Sequence, residues 1–154
     1  MKKKILIVGG NGYVGSRLSN YLQEKSLNIV SVDSFLYGNT NIRSNKKTQT
    51  IIKKDIRDLK YSFLEKFDSV VCLAALSNNP IKQTNQKQSY DISRNFTIDL
   101  AKKIEKIGNQ LIFPSSCSVY GKNFSKKKCS ENSKINPLTF YSINKSEIET
   151  YLQK

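Results

Sequence analysis

The run Ile5-Leu6-Ile7-Val8-Gly9-Gly10-Asn11-Gly12-Tyr13-Val14-Gly15 decides the fold of this chain. Its first four residues are wholly apolar, as expected of a central parallel strand covered on both faces. The glycines follow at once and open a helical pattern over Gly12 to Glu24, with Val14, Leu18, Tyr21 and Leu22 on one side. In that setting one glycine permits a tight turn, one lets the backbone approach a pyrophosphate, and one lets helix pack on strand. The helix N-terminus then faces the negative charge. A second strand, Ile29-Val30-Ser31-Val32-Asp33, ends in a carboxylate 21 residues after Gly12. A carboxylate there accepts hydrogen bonds from ribose hydroxyls and repels a 2′-phosphate, so the residues favour NAD over NADP. The plainer alternative makes the glycines turn formers and Asp33 a loop cap.

Period-reading continues the alternation. Thr50-Ile51-Ile52 is the third strand and Val70-Val71-Cys72-Leu73 the fourth. A long helix over about Ser89 to Ile107 repeats Phe96, Leu100, Ile104 and Ile107 at helical spacing. Gln110 to Phe113 forms a fifth strand and Tyr141 to Leu152 a last helix. That order specifies an α/β fold, a doubly wound parallel sheet of the Rossmann type. Polar loops are expected over Tyr37 to Lys47 and Gly121 to Pro137, and the chain has no internal repeat.

A length of 154 residues fits one domain with a real core but not a second full domain. Lys and Arg total 26 against 12 Asp and Glu, a formal +14 that could steer the protein to nucleic acid or an anionic membrane. The lysines are spread from Lys2 to Lys154, however, which reads as background composition and makes nucleic acid a poor partner. Runs such as Lys126-Lys127-Lys128 read as solvated. Cys72, Cys117 and Cys129 are odd in number and form no CxxC pair, so neither a disulfide framework nor a metal site is expected. The compartment they suit is a reducing cytoplasm. Lys2-Lys3-Lys4 imitates a leader, but the apolar run after it stops at Gly9, and no segment is long enough to span a bilayer.

Tyr141 and Lys145 lie four residues apart and so share one helix face. Removing a hydride from a carbinol carbon requires taking the hydroxyl proton, and a phenol with its usual pKa of about 10 is a poor base at neutral pH. A nearby ammonium corrects that by about 1–3 units. The pair therefore points to redox chemistry on an alcohol carbon.

These residues resemble the extended short-chain dehydrogenase/reductase family of nucleotide-sugar epimerases, dehydratases and reductases. The glycine turn has that family's GxxGxxG form. Further matches run in order: Asp55-Ile56, Leu73-Ala74-Ala75, Ser115-Ser116-Cys117-Ser118-Val119-Tyr120-Gly121, and Asn136-Pro137 before Tyr141. The resemblance covers essentially the whole chain, residues 1–154, as an NAD-binding domain. It implies that Gly9, Gly12, Tyr13, Val14, Gly15 and Asp33 bind NAD, and that Asp55 and Ile56 flank its adenine. Leu73, Ala74 and Ala75 would line its middle, and Lys145 would also reach the nicotinamide ribose. Ser116, Tyr141 and Lys145 would be catalytic, with Ser116 on the oxygen of a sugar-nucleotide substrate. A homodimer is implied for the full-length protein.

Three departures stand out. The family's helix asparagine falls on Ser93, with Asn95 only nearby. The acidic pair of its dehydratases is replaced by Cys117 and Ser118, which disfavours elimination of water; Cys117 reads as a small packing residue at a crowded strand end. Finally, the chain stops at Tyr151-Leu152-Gln153-Lys154, still in helical pattern, and so reads as truncated before the substrate lobe. The leading expectation is the N-terminal part of an NAD-dependent epimerase-type oxidoreductase. A non-catalytic NAD-binding module and an RNA-associated relative of the fold are the alternatives.

Overall fold

Apolar runs too short for helices become five parallel strands in the computed structural model, which describes residues 3–36, 38, 49–76, 90–122 and 128–154. They are β1 (Lys4–Val8), β2 (Asn28–Asp33), β3 (Gln49–Lys53), β4 (Ser69–Cys72) and β5 (Gln110–Ile112). Their order in the sheet is β3-β2-β1-β4-β5. Leu6, Ile7 and Val8 of the central strand are fully buried, and Val30, Val32, Val70 and Cys72 extend that layer to either side. The register pairs Val8 with Val32 on one flank and with Cys72 on the other. The chain reverses its winding between β1 and β4, the switch point of the sheet order.

The described residues divide into two compact units, Met1–Ala74 with Asp99–Pro114, and Ala75–Ile98 with Ser115–Lys154. The sheet belongs to the first. Helix α1 (Tyr13–Glu24) there buries Gly15 and Ser19, whereas Val14 and Tyr21 are 59% and 55% exposed. The expected apolar face is therefore wrong at those two positions. Crowding at the turn is the reason. A Cβ on Gly10 would stand 2.6 Å from that of Ser31, and one on Gly15 would strike the Gly9 carbonyl oxygen. Only small residues fit this approach, and Ser19 and Ser31 join their hydroxyls beneath it at 3.2 Å.

A 3-10 turn (Ile56–Asp58) and a short helix α2 (Tyr61–Leu64) join β3 to β4. The sequence reading did not foresee them. They carry Leu59, Leu64 and Phe67 into the core, and the Lys103 ammonium donates to the Leu59 carbonyl at 3.1 Å. Helix α3 (Phe96–Ile107) buries Phe96, Leu100 and Ile104 as the spacing predicts. Burying each such side chain contributes about 1.5–3 kcal/mol. The turn before it, Tyr90–Asn95, is π-helical rather than α-helical, and the Thr97 hydroxyl donates to the Ser93 carbonyl at 2.6 Å. Ser89 lies outside the described residues, as do Tyr37, 39–47 and 123–127 within the two expected loops. β5 stops one residue short of Phe113, at an edge where Ile112 is 45% exposed.

In the second unit a 3-10 turn (Cys117–Tyr120) and the π-helical turn pack on helix α4 (Phe140–Leu152). Cys72 is buried in β4 as expected, but Cys117 is exposed and so packs no crowded strand end. β5 has already ended at Ile112, five residues before Cys117, which opens a 3-10 turn of its own.

Gly15→Ala should lower stability by about 2–4 kcal/mol, because a methyl group must displace backbone inside a closed turn. The urea midpoint of unfolding measures it. A midpoint equal to that of the unmodified chain would show that α1 can shift away from the turn.

Candidate active site

In the first unit the glycine turn is fastened to β2. The N–H groups of Gly9 and Gly10 both donate to the Val32 carbonyl, at 2.9 and 3.3 Å. Gly9 has φ +83°, which glycine adopts without steric cost, and its missing side chain leaves room for the backbone of Ala74 after β4. A Cβ there would lie 2.6 Å from the Ala74 nitrogen. Leu73 extends the contact by donating its N–H to the Val8 carbonyl at 2.8 Å. Gly9, Leu73 and Ala74 thus meet beyond the carboxyl ends of β1 and β4, while Ala75 opens the second unit.

Gly12 differs from its neighbours. It caps α1 with no side-chain bond, and a Cβ built on it meets only the Gly9 oxygen, at an ordinary 3.4 Å. Packing within the described residues therefore does not demand a glycine at this position. Tyr13 and Val14 follow with exposed side chains at the first turn, where helix N–H groups point outward.

Asp33 ends β2 with both carboxylate oxygens engaged. One accepts from the Asn11 N–H at 2.9 Å and the other from the Phe35 N–H at 2.8 Å. Each oxygen keeps a second lone pair for a hydroxyl donor. Asn11, buried in the turn, also donates its side-chain amide to the Gly38 carbonyl at 2.7 Å. Sequence reasoning missed Asn11; its place between two glycines at a turn was the available signal.

Asp55 caps the 3-10 turn by accepting from the Arg57 N–H at 2.9 Å, and it meets the Arg57 guanidinium at 2.6 Å. Those bonds hold the Asp55 carboxyl below the ordinary 3.8, against an opposing contribution from burial. Ile56 is buried, so its side chain serves the core.

In the second unit Ser116 caps the turn Cys117–Tyr120. Its hydroxyl oxygen accepts from the Ser118 N–H at 3.2 Å and from the Ser118 hydroxyl at 2.9 Å. With its acceptor sites filled, its own hydrogen is available to another oxygen. Gly121 closes the turn at φ +63°, where a Cβ would strike the Asn136 carbonyl. The Asn136 N–H donates to Val119 at 2.9 Å, which lays the segment entering α4 along the Ser116 turn. A capping box between Thr139 and Ser142 then sets where α4 begins.

On that helix Lys145 is only 6% exposed, and its ammonium stands 5.6 Å from the centre of the Tyr141 ring. The expected pairing of these two residues is present. The π-helical turn makes two further contacts, of which the first braces α4. Arg94 of the π-helical turn forms an ion pair with Glu147, and Ser93 is buried with its hydroxyl accepting the Leu76 N–H at 3.0 Å. Ser93 thereby anchors the segment after β4. Among the described residues no cluster of Cys, Asp or Glu could hold a metal ion, and no helix is long and apolar enough to cross a membrane.

The profile of the NAD dependent epimerase/dehydratase family matches residues 5–154. The chain belongs to that family. A UDP-glucose 4-epimerase of Neisseria meningitidis serogroup C is 31% identical over 129 residues, covering 77% of this chain and 38% of that protein. A solved UDP-N-acetylglucosamine 4-epimerase from Methanobrevibacter ruminantium, in complex with UDP-N-acetylmuramic acid, superposes with a TM-score of 0.88 at 28% identity. It is covered over 50% of its length by 99% of this chain. A UDP-glucose-4-epimerase from Stenotrophomonas maltophila with bound NAD and formylated UDP-arabinopyranose gives 0.86 at 27% identity, over 98% of this chain and 48% of that one. The chain spans half or less of the length of these relatives.

Arg57→Gln should raise the Asp55 pKa towards 3.8, since the guanidinium bond is the largest cause of its depression. The depressed value contributes stability that is present above the ordinary carboxylate range and is lost as pH falls through the folded value. An NMR titration of the Asp55 carboxyl carbon in both chains measures the change. The same pKa in both would show that Arg57 does not hold Asp55 in solution.

Proposed function

We propose that this chain is the NAD-binding and catalytic N-terminal part of an oxidoreductase or epimerase acting on a sugar nucleotide in the cytoplasm, as a homodimer when full length. The observation that carries the reading is the buried Lys145 ammonium 5.6 Å from the Tyr141 ring, in a chain whose other unit opens a cradle over Gly12.

The glycine turn fits a dinucleotide. Gly12 leaves space above the N-terminus of α1, Gly9 and Ala74 close the floor, and Asp33 is aimed by two backbone N–H groups. In this reading Gly12, Tyr13, Val14 and Gly15 hold the pyrophosphate and Asp33 the adenosine ribose. Asp55, its carboxylate held by Arg57, accepts from the adenine amino group, and Ile56 serves through its backbone. Leu73, Ala74 and Ala75 border the middle of the cofactor. When bound, NAD supplies a hydride acceptor at its nicotinamide ring.

The chain's own residues handle the proton. Tyr141 removes it from the substrate hydroxyl as the carbon–hydrogen bond is broken. The ammonium of the buried Lys145 offsets the negative charge that the ring oxygen carries before it takes that proton. Ser116, its acceptor sites filled by Ser118, donates its hydrogen to the reacting oxygen and orients it. Cys117 and Ser118 supply no carboxylate, so reversible hydride transfer at a carbinol carbon suits the site better than elimination of water.

In the full-length enzyme Tyr141→Phe should lower turnover by about 10²–10⁴-fold and leave NAD affinity nearly unchanged. Lys145→Met should lose rate together with some cofactor affinity. Calorimetric titration should also give tighter binding of NAD than of NADP, with Asp33→Ala narrowing the gap. Full turnover in Tyr141→Phe, or NADP bound as tightly as NAD, would overturn the reading.

A further inference from the structure

The first unit carries a groove of about 700 Å³ between the segment Lys54–Ser62 and helix α3. Neither the glycine turn nor Asp33 lines it. Its wall holds four cations, Lys54, Arg57, Lys60 and Lys103, against one carboxylate, Asp58. Arg57 is paired with Asp55 and Lys103 with Asp99 at 2.7 Å, which fixes two of the positive groups in place. Lys54 and Lys60 are exposed and form no ion pair among the described residues. Tyr61 stands half-exposed in the same wall. The ammonium groups of Lys103 and Lys106 lie 6.0 and 5.6 Å from its ring centre, so this side of the groove stays positive. The hydroxyl of Ser62 adds a neutral donor.

We infer that this groove is a second anion site, built for a phosphate-bearing ligand whose phosphates lie between Lys54 and Lys60. The volume matches a small ligand rather than a single ion. Lysines on flexible stems bind phosphate as point charges, and hydroxyls at the same wall complete its hydrogen bonds. Asp58 is the one carboxylate in the lining, and Asp55 and Asp99 are taken up by Arg57 and Lys103, so no carboxylate set is left to hold a metal. The chemistry is shared by a free diphosphate and by the backbone of a single RNA strand, and the overall charge of +14 draws either to the surface.

The test uses the whole chain with two probes, inorganic pyrophosphate followed by calorimetry and a fluorescent single-stranded RNA followed by anisotropy. The double variant Lys54→Gln, Lys60→Gln should weaken one or both by about tenfold or more. For RNA it should also flatten the slope of log affinity against log salt by about 1.4, at roughly 0.7 per lost strand contact. Lys25→Gln, Lys66→Gln removes the same charge outside the groove and should leave binding unchanged, and both variants should melt with the unmodified chain. The probe that loses affinity identifies the source of the phosphate. Saturating NAD should not displace it. The inference is overturned if the two double variants behave alike with both probes, or if NAD competes with the probe and so makes the groove part of the dinucleotide site. Failure to bind NAD would count against the proposed activity alone.

Discussion

The carbonyl of Val32 receives two N–H groups, from Gly9 and Gly10, and the site in the first unit depends on that bond pair. It ties the turn after β1 to the end of β2, and so sets the distance between the cradle and Asp33. The Asn11 N–H then reaches the Asp33 carboxylate directly. A turn held this close has no room for side chains, which is why Gly10 and Gly15 face backbone or Ser31 at less than contact distance. Glycine at these positions meets a packing demand, whereas a Cβ at Gly12 would meet no neighbour closer than 3.4 Å.

The strands and the glycine turn were legible because their signals are local. A wholly apolar tetrad, glycines directly after it and a carboxylate at the end of the next strand need no tertiary information. The Tyr141–Lys145 pair was legible for the same reason, since helical spacing alone places i and i+4 together. What escaped depended on neighbours. Val14 and Tyr21 look like a core face by period, yet α1 sits so near the turn that only Gly15 and Ser19 fit beneath it. The π-helical turn at Tyr90–Asn95 continues an amphipathic pattern seamlessly, and no residue type marks its extra width. Arg57 is unremarkable until Asp55 turns back upon it, and the partnership of Arg94 with Glu147 spans 53 residues.

Ser93 shows how a departure from a family pattern can be absorbed. Its hydroxyl holds the Leu76 N–H and its carbonyl receives the Thr97 hydroxyl, so a buried polar residue is satisfied on both sides without a longer amide side chain.

The central claim is that the space above Gly12 is a dinucleotide site, and thermal unfolding of the unmodified chain and of Gly12→Ala, each with and without NAD, tests it most directly. Without NAD the variant should lie within about 1 kcal/mol of the unmodified chain, the cost of a poorer helix cap. With NAD in large excess only the unmodified chain should gain, by about 2.7 kcal/mol at one hundred times the dissociation constant. An equal gain in both chains, or none in the unmodified one, would contradict the account.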